Sequence, residues 1–174
     1  MKYFNKLLFI IVIFFTFNSI SHGDMPYYVD FKFILNESVA GKKAQSFLQK
    51  KLTGGVEKLK TKEKNIQEEE KKIIKQKKII SADEYKNKVN DLRKKVSSLK
   101  KERDNLFNTV AEQRAKARSE LLKNLNPVIK EYMQEKKIRM VIDKKSILLA
   151  DENLDLTDEI ITILNNKLKS IKLD

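Results

Sequence analysis

The fold is decided by residues 52–110, which read LTGGVEKLKTKEKNIQEEEKKIIKQKKIISADEYKNKVNDLRKKVSSLKKERDNLFNTV. Up to residue 80 an apolar side chain recurs every seven residues. From residue 85 the seam positions alternate four and three residues apart, and all but Arg103 are apolar. Both spacings are heptad patterns, in which a narrow apolar seam on one helix packs against the seam of another. The predicted seam residues are Leu52, Leu59, Ile66, Ile73, Ile80, Tyr85, Leu92, Leu99 and Leu106.

A helix start separates the two halves of this stretch. Ser81 is followed three residues later by Glu84, which is the spacing of a capping box at a helix N-terminus. One continuous helix would not need this signal, so we expect two antiparallel helices joined by a tight turn. The register agrees, because the residue numbers of facing seam positions have a constant sum of 165, as in Ile66 with Leu99. A parallel coiled coil of one long helix is the alternative.

The helical hairpin, called the arm below, has a weak hydrophobic core. Gly54 and Gly55 lie inside its ascending helix, where each glycine costs about 1 kcal/mol relative to alanine. We therefore expect an arm that bends near its base. The alternative is that the two glycines mark a break in the helix.

The N-terminus has the layout of a secretory signal peptide. Lys2 and Lys6 precede an apolar run at residues 7–17, and a small-x-small site follows at residues 21–23. The run is shorter than the roughly 20 apolar residues that cross a bilayer. We expect cleavage after residue 23, so that the mature chain begins at Asp24. An uncleaved membrane anchor is the alternative.

The residue inventory argues against an enzyme. The 174-residue chain has no cysteine, and its one histidine, His22, lies in the predicted signal peptide. A mature chain without histidine or cysteine cannot form a Ser-His-Asp triad or a usual zinc site. Phosphate-binding glycine loops and nucleophile elbows are also missing from the sequence. Carboxylate-only or Ser-Lys chemistry stays formally open, but no catalytic, metal-binding or cofactor-binding residues are predicted.

Both ends of the mature chain predict a small α+β body from which the arm extends. Residues 27–29, 138–142 and 147–150 read as strands, and residues 155–170 read as a terminal helix with acidic residues at its start. Pro127 is expected to kink the helix before the second strand or to start a new segment. A body of this size has a small core, so oligomerisation would supply the missing burial.

The order of these motifs resembles the Skp/OmpH family of periplasmic chaperones over essentially all of the mature chain. The residues that carry the resemblance are Val29-Asp30, Ile34–Ser38, Ala40–Lys42, the hairpin, Met140–Asp143 and Leu154–Thr157. The resemblance implies a signal peptide at 1–23, body segments at 24–40 and 126–174, and an arm at 41–125. It also implies a homotrimer joined through the body strands, whose arms surround a cavity.

The resemblance further implies a periplasmic holdase that binds unfolded outer-membrane proteins without ATP. Residues 42–120 contain 24 basic and 12 acidic side chains, so the arm carries the excess positive charge. The candidate client-binding residues are Lys58, Lys60, Lys62, Lys64, Arg93, Lys94 and Lys95. Family members are also associated with lipopolysaccharide and anionic lipid, and the candidate headgroup-binding residues are Arg114, Lys116 and Arg118.

Other interpretations of the basic arm stay open at this stage. A charge-rich helix is often only a solvated face, and 32 of the 37 basic residues are lysine, which an AT-rich genome would also favour. A nucleic-acid-binding protein would use such charge, but a signal peptide removes its access to the cytoplasm, so no nucleic-acid partner is expected. A structural envelope coiled coil would need an uncleaved anchor at residues 7–17.

Overall fold

A computed structural model describes residues 25–173, so the predicted signal peptide at 1–23 lies outside the described residues. The main elements are β1 (Tyr27–Val29), α1 (Phe31–Glu37), α2 (Val39–Gln76), α3 (Ala82–Lys136), β2 (Val141–Asp143) and α4 (Thr157–Lys167), with short 3-10 turns at Lys144–Ser146 and Glu152–Leu154. The chain is mostly helical with a small two-stranded sheet.

Serine side chains start both long helices. The Ser38 hydroxyl accepts a hydrogen bond from the backbone N–H of Gly41 (3.2 Å) and caps α2. The Ser81 hydroxyl accepts one from the N–H of Glu84 (3.2 Å) and caps α3. Each hydroxyl satisfies one of the N–H groups that lack a partner within the helix. The predicted capping signal at Ser81, and with it the hairpin, is confirmed.

The two arm helices are antiparallel, and two ion pairs join them in the middle of the arm. Lys62 contacts Glu102 at 2.5 Å, and Lys95 contacts Glu69 at 2.6 Å. The residue numbers of both pairs add up to 164, one less than the sum expected for facing seam residues. The nine predicted seam residues all lie on the inner side, with Ile73 buried and the others half-buried.

The paired glycines do not interrupt the helix. Helix α2 runs unbroken through Gly54 and Gly55, so the alternative of a helix break is wrong. Gly55 lies against the partner helix, and a Cβ atom placed there would meet Cδ1 of Leu106 at 2.5 Å. Gly54 faces open space. The lack of a side chain at Gly55 therefore permits close approach of the two arm helices.

Pro127 also leaves its helix continuous, because α3 extends from the arm to Lys136. The expectation of a new segment at this point is wrong. Leu125, Val128 and Ile129 on either side of the proline are buried in the body core, and this tertiary packing keeps the helix together despite the missing N–H. Helix α3 therefore joins arm and body as one element.

The body is built on two parallel strands that come from opposite ends of the chain. Tyr28 pairs with Ile142, and the arm forms the long connection between the strands. The core against the sheet includes Val29, Ile34, Leu125, Ile160 and Leu164, all fully buried. The body is thus closed by contacts between residues far apart in sequence.

The predicted third strand at residues 147–150 is wrong. This segment is a bend, and Leu148 and Leu149 are 95% and 90% exposed. The second strand is also shorter than predicted, since it begins at Val141 rather than Ile138. A strand needs a neighbour for its backbone hydrogen bonds, and among residues 25–173 this segment pairs with no strand.

Asp155 ties the start of α4 to the sheet. Its carboxylate accepts a hydrogen bond from the N–H of Thr157 (2.9 Å) and forms an ion pair with the Lys144 ammonium (3.1 Å). The Thr157 hydroxyl in turn accepts a hydrogen bond from the N–H of Asp30. Burial of the Asp155 carboxyl by itself raises its pKa. The hydrogen bonds from Thr157 and the charge of Lys144 lower the pKa by more than burial raises it, so the pKa of Asp155 lies below the usual value.

Candidate binding surface on the arm

Two of the predicted client-binding lysines are engaged in ion pairs across the arm. The Lys62 ammonium donates a hydrogen bond to Glu102, and together with its charge this bond holds the pKa of Glu102 below the usual range. Lys95 donates to both carboxylate oxygens of Glu69 (2.7 and 2.6 Å). These two lysines therefore join α2 to α3 as well as adding positive charge.

The other predicted lysines on α2 lie on more than one side of the helix. Lys58 is one turn from Lys62, so these two share a face. Lys60 and Lys64 are also one turn apart and share a different face. All four side chains are exposed. The structure therefore distributes this set around α2 rather than bringing it together as one patch.

The basic residues predicted on α3 are likewise exposed and spread. Arg93, Lys94 and Lys95 are consecutive, so each points about 100° away from the last around the helix. Lys94 contacts Asp91 at 3.1 Å. The predicted headgroup-binding residues lie further along α3, and all are exposed: Arg114, Lys116 and Arg118. A single convergent cationic pocket is not formed by these predicted residues.

Exposed apolar side chains on the arm are the feature that sequence reasoning missed. Phe47, Ile74, Ile79 and Phe107 are 41%, 60%, 81% and 50% exposed. Each is next to an apolar residue that faces inward, in the doublets Phe47-Leu48, Ile73-Ile74, Ile79-Ile80 and Leu106-Phe107. Two consecutive helical residues point about 100° apart, so only one member of a doublet fits the seam. These apolar doublets are the sequence pattern from which the exposed apolar side chains could have been predicted.

Two further apolar side chains enlarge this surface. Val56 is 42% exposed and Val96 is 50% exposed. We call these two residues and the four above the exposed apolar set; its members are Phe47, Val56, Ile74, Ile79, Val96 and Phe107. The set is distributed along the arm among lysines. Two grooves, one along α2 at Ser46–Gly54 and one between α2 and α3 beside Ile66 and Leu99, are open rather than enclosed.

The body carries a separate exposed apolar segment. Leu148 and Leu149 project almost completely into solvent, and Met140, which directly precedes β2, is 57% exposed. Two adjacent large apolar side chains with this exposure are a candidate contact with another molecule. The segment is the one that the sequence predicted to be a strand.

The described residues show no feature of a metal centre or a membrane span. Within residues 25–173, no group of His, Cys, Asp and Glu side chains has the arrangement needed to hold a metal ion. In the same range, every helix is too short or too polar to cross a bilayer. The remaining feature of note is the long arm with its mixed basic and apolar surface.

Comparison with known proteins defines the class to which this fold and arm belong. The sequence model of a family described as outer membrane protein (OmpH-like) matches residues 27–164. The chain therefore belongs to the OmpH-like family. Membership of this family, whose proteins are periplasmic and non-catalytic, supports a chaperone role. It does not favour the alternatives of an anchored structural coiled coil or a nucleic-acid-binding protein.

A solved structure shares the fold. It is the crystal structure of a protein from Caulobacter crescentus CB15 described as an OmpH-like outer membrane chaperone. The two chains superpose with a TM-score of 0.81 at 20% sequence identity, over 86% of this chain and 90% of the other. No curated protein matches the sequence.

Proposed function

We propose that this chain is an ATP-independent periplasmic holdase, which binds unfolded outer-membrane β-barrel proteins between basic helical arms and prevents their aggregation. The observation that carries the proposal is the arm surface, where the exposed apolar set lies among many lysines and arginines. An unfolded chain has no fixed shape and presents apolar and charged groups along its length. A long, open and mixed surface suits such a ligand better than a pocket does.

Two physical effects would act together in client capture. Exposed ion pairs are individually worth about 0–1 kcal/mol, but many like charges together steer an oppositely charged chain and raise its association rate. The Debye length falls from about 10 Å at 0.1 M salt to about 3 Å at 1 M, so this contribution fades with ionic strength. Contact with the exposed apolar set is not screened by salt and leaves residual binding.

The test is the association kinetics of a urea-diluted, net-acidic outer-membrane protein at several salt concentrations. Changing Lys58, Lys60 and Lys64 to Gln should slow capture as high salt does, because Gln removes the charge and keeps helix propensity. Lys62→Gln alone also breaks the ion pair to Glu102 and serves to separate arm pairing from client attraction. Salt-independent capture by the wild-type chain and by the triple variant would refute the electrostatic part.

The apolar contribution is tested separately. Replacing Ile74, Ile79 and Phe107 by Ser should remove the binding that remains at high salt without large loss of stability, since these side chains are at least half exposed. Leu99→Ser is the matched control, because Leu99 lies on the half-buried seam and its loss should lower arm stability. Unchanged high-salt binding by the triple variant would refute a role for the exposed apolar set.

We also propose that the chain works as a homotrimer joined through its bodies. The support is the segment with Leu148 and Leu149, whose apolar side chains are 95% and 90% exposed. The arm seam, by contrast, is satisfied within one hairpin. Contact of this segment with a neighbouring body would bury these two leucines, which the chain by itself leaves in solvent.

Lipopolysaccharide or anionic lipid is a further proposed partner. Arg114 and Arg118 are one helical turn apart and so present two cations on one side of α3, with Lys116 also exposed nearby. Anionic headgroups would be held there by charge-assisted hydrogen bonds. Sedimentation with anionic vesicles, compared between wild type and the Arg114→Gln, Arg118→Gln variant, tests this site. Equal sedimentation of the two chains would refute it.

A further inference from the structure

The C-terminal tail, residues 168–173, leaves the body after α4 and lies along the base of the arm. The side chain of Leu173, in this segment, is only 5% exposed. The residues that pack with Leu173 are Ala44 and Leu48 on α2, Ala117 on α3 and, half-buried, Ile171 of the tail. The tail therefore fills a groove between the two arm helices.

Small side chains make this groove. Ala44 and Ala117 are both 5% exposed, and they come from opposite walls of the arm base. Alanine at both positions leaves room between α2 and α3 that larger seam residues close elsewhere on the arm. Leu173 occupies that room, so the groove is shaped for an apolar side chain from another segment.

Gln113 contacts the main chain of the segment in the groove. Its amide nitrogen Nε2 donates a hydrogen bond to the backbone carbonyl of Leu173 at 2.8 Å. Its amide oxygen Oε1 is buried and has no hydrogen-bond partner within the described part of the chain. A glutamine amide both donates and accepts, so this side chain can serve the C=O and the N–H of an extended guest whatever its sequence.

The tail shows which kind of segment fits. Ile171 and Leu173 pack inward while Lys172 between them is exposed, which is the alternation of an extended chain. The groove thus accepts apolar side chains two residues apart and leaves the intervening residue in solvent. Extended segments with apolar residues at such spacing are common in unfolded polypeptides that form strands when folded.

We propose that this groove is a docking site for an extended apolar segment of an unfolded polypeptide, and that the chain's own tail occupies it as a built-in competitor. That the docked segment belongs to an unfolded client rests on the proposed function. That the groove binds an extended apolar segment does not depend on the proposed function. Because the tail is tethered, its effective concentration at the groove is of millimolar order. A guest therefore gains access when the tail is released.

The experiment uses the full mature chain and a fluorescein-labelled peptide with the sequence of residues 168–173. Leu173→Asp should release the tail, because a charge replaces the buried leucine. Ser170→Asp is the matched control, since it adds the same charge at an exposed tail position. We expect fluorescence anisotropy to show the peptide binding about tenfold more tightly to Leu173→Asp than to the wild type or Ser170→Asp, because tethered competition is removed.

A third variant locates the bound peptide. Adding Ala117→Met to the Leu173→Asp chain should fill the groove and abolish peptide binding, while circular dichroism stays unchanged because methionine is a good helix former. Equal peptide affinity for wild type, Leu173→Asp and Ser170→Asp would overturn the proposal, as would binding that survives Ala117→Met. Peptide binding requires no client, so a wild-type chain that fails to bind unfolded clients would refute the proposed function and not the groove.

Discussion

Substituting the two arm glycines one at a time should have opposite consequences for stability. Gly54→Ala should stabilise the chain by about 1 kcal/mol, because alanine has the higher helix propensity and nothing lies within 4 Å of the new methyl group. Gly55→Ala gives the same propensity gain, but its Cβ would lie 2.5 and 2.6 Å from Cδ1 and Cδ2 of Leu106. Relief of such overpacking costs about 1–3 kcal/mol. The net change for Gly55→Ala is therefore between about zero and 2 kcal/mol of destabilisation.

Urea unfolding followed by far-ultraviolet circular dichroism measures both changes, with all chains at one protein concentration because assembly would contribute to stability. With an m-value of about 1–3 kcal/mol/M, Gly54→Ala should raise the midpoint by about 0.3–1 M. A Leu106→Ala background is the control, since it removes the clashing atoms and should let Gly55→Ala stabilise like Gly54→Ala. Equal stabilisation by both substitutions in the wild-type background would show that Leu106 moves aside without cost and would contradict the predicted overpacking at Gly55.

Three further predictions concern assembly, acid stability and processing. Leu148→Asp with Leu149→Asp should convert a trimer to monomers in sedimentation equilibrium. Removing residues 66–80 together with residues 85–99 shortens both arm helices equally and should leave the trimer intact. A monomer after this shortening would show that the arms drive association. The Asp155 carboxyl has a lowered pKa, so it should contribute stability that is present above about pH 4 and lost as the pH falls through its folded-state pKa. Asp155→Asn should therefore weaken the fall in the free energy of unfolding at acid pH. An unchanged fall would contradict this prediction. Intact mass of the native protein should correspond to a chain beginning at Asp24, and retention of residues 7–17 would overturn the cleaved signal peptide.

The arm was predictable from sequence because its determinants are local. Seven-residue spacing of apolar residues requires a partner helix, and the Ser81 cap shows where the second helix begins. The register followed from the same spacing, to within one residue of the observed ion pairs. Patterns of this kind depend on neighbours one or two helical turns away, so they can be read without knowing the tertiary structure.

The body was less predictable because its structure depends on distant contacts. Residues 147–150 have the composition of a strand, but strand formation needs a neighbour, and the described residues 25–173 supply none for this segment. Pro127 has the signature of a helix end, but packing of Leu125 and Val128 in the core outweighs it. The strand β1 was found correctly at residues 27–29, where a short apolar run ends at Asp30.

The candidate binding surface was predicted in part. Charge counts placed the excess of lysine on the arm, yet could not show that Lys62 and Lys95 pair with carboxylates on the opposite helix. The exposed members of the apolar doublets, such as Ile79 and Phe107, were readable from the heptad register. The groove at the arm base was not, because Leu173 and Ala44 are brought together only by the complete fold.

The most direct test of the holdase account is light scattering after rapid dilution of a urea-unfolded outer-membrane protein in the presence of the mature chain, without nucleotide. We predict that the chain suppresses aggregation in proportion to its concentration, and that it binds the unfolded client but not the same client once folded. The contrast follows from an arm surface that matches extended chains through distributed charge and exposed apolar side chains. Undiminished aggregation, or equal binding of the folded and unfolded client, would contradict the account.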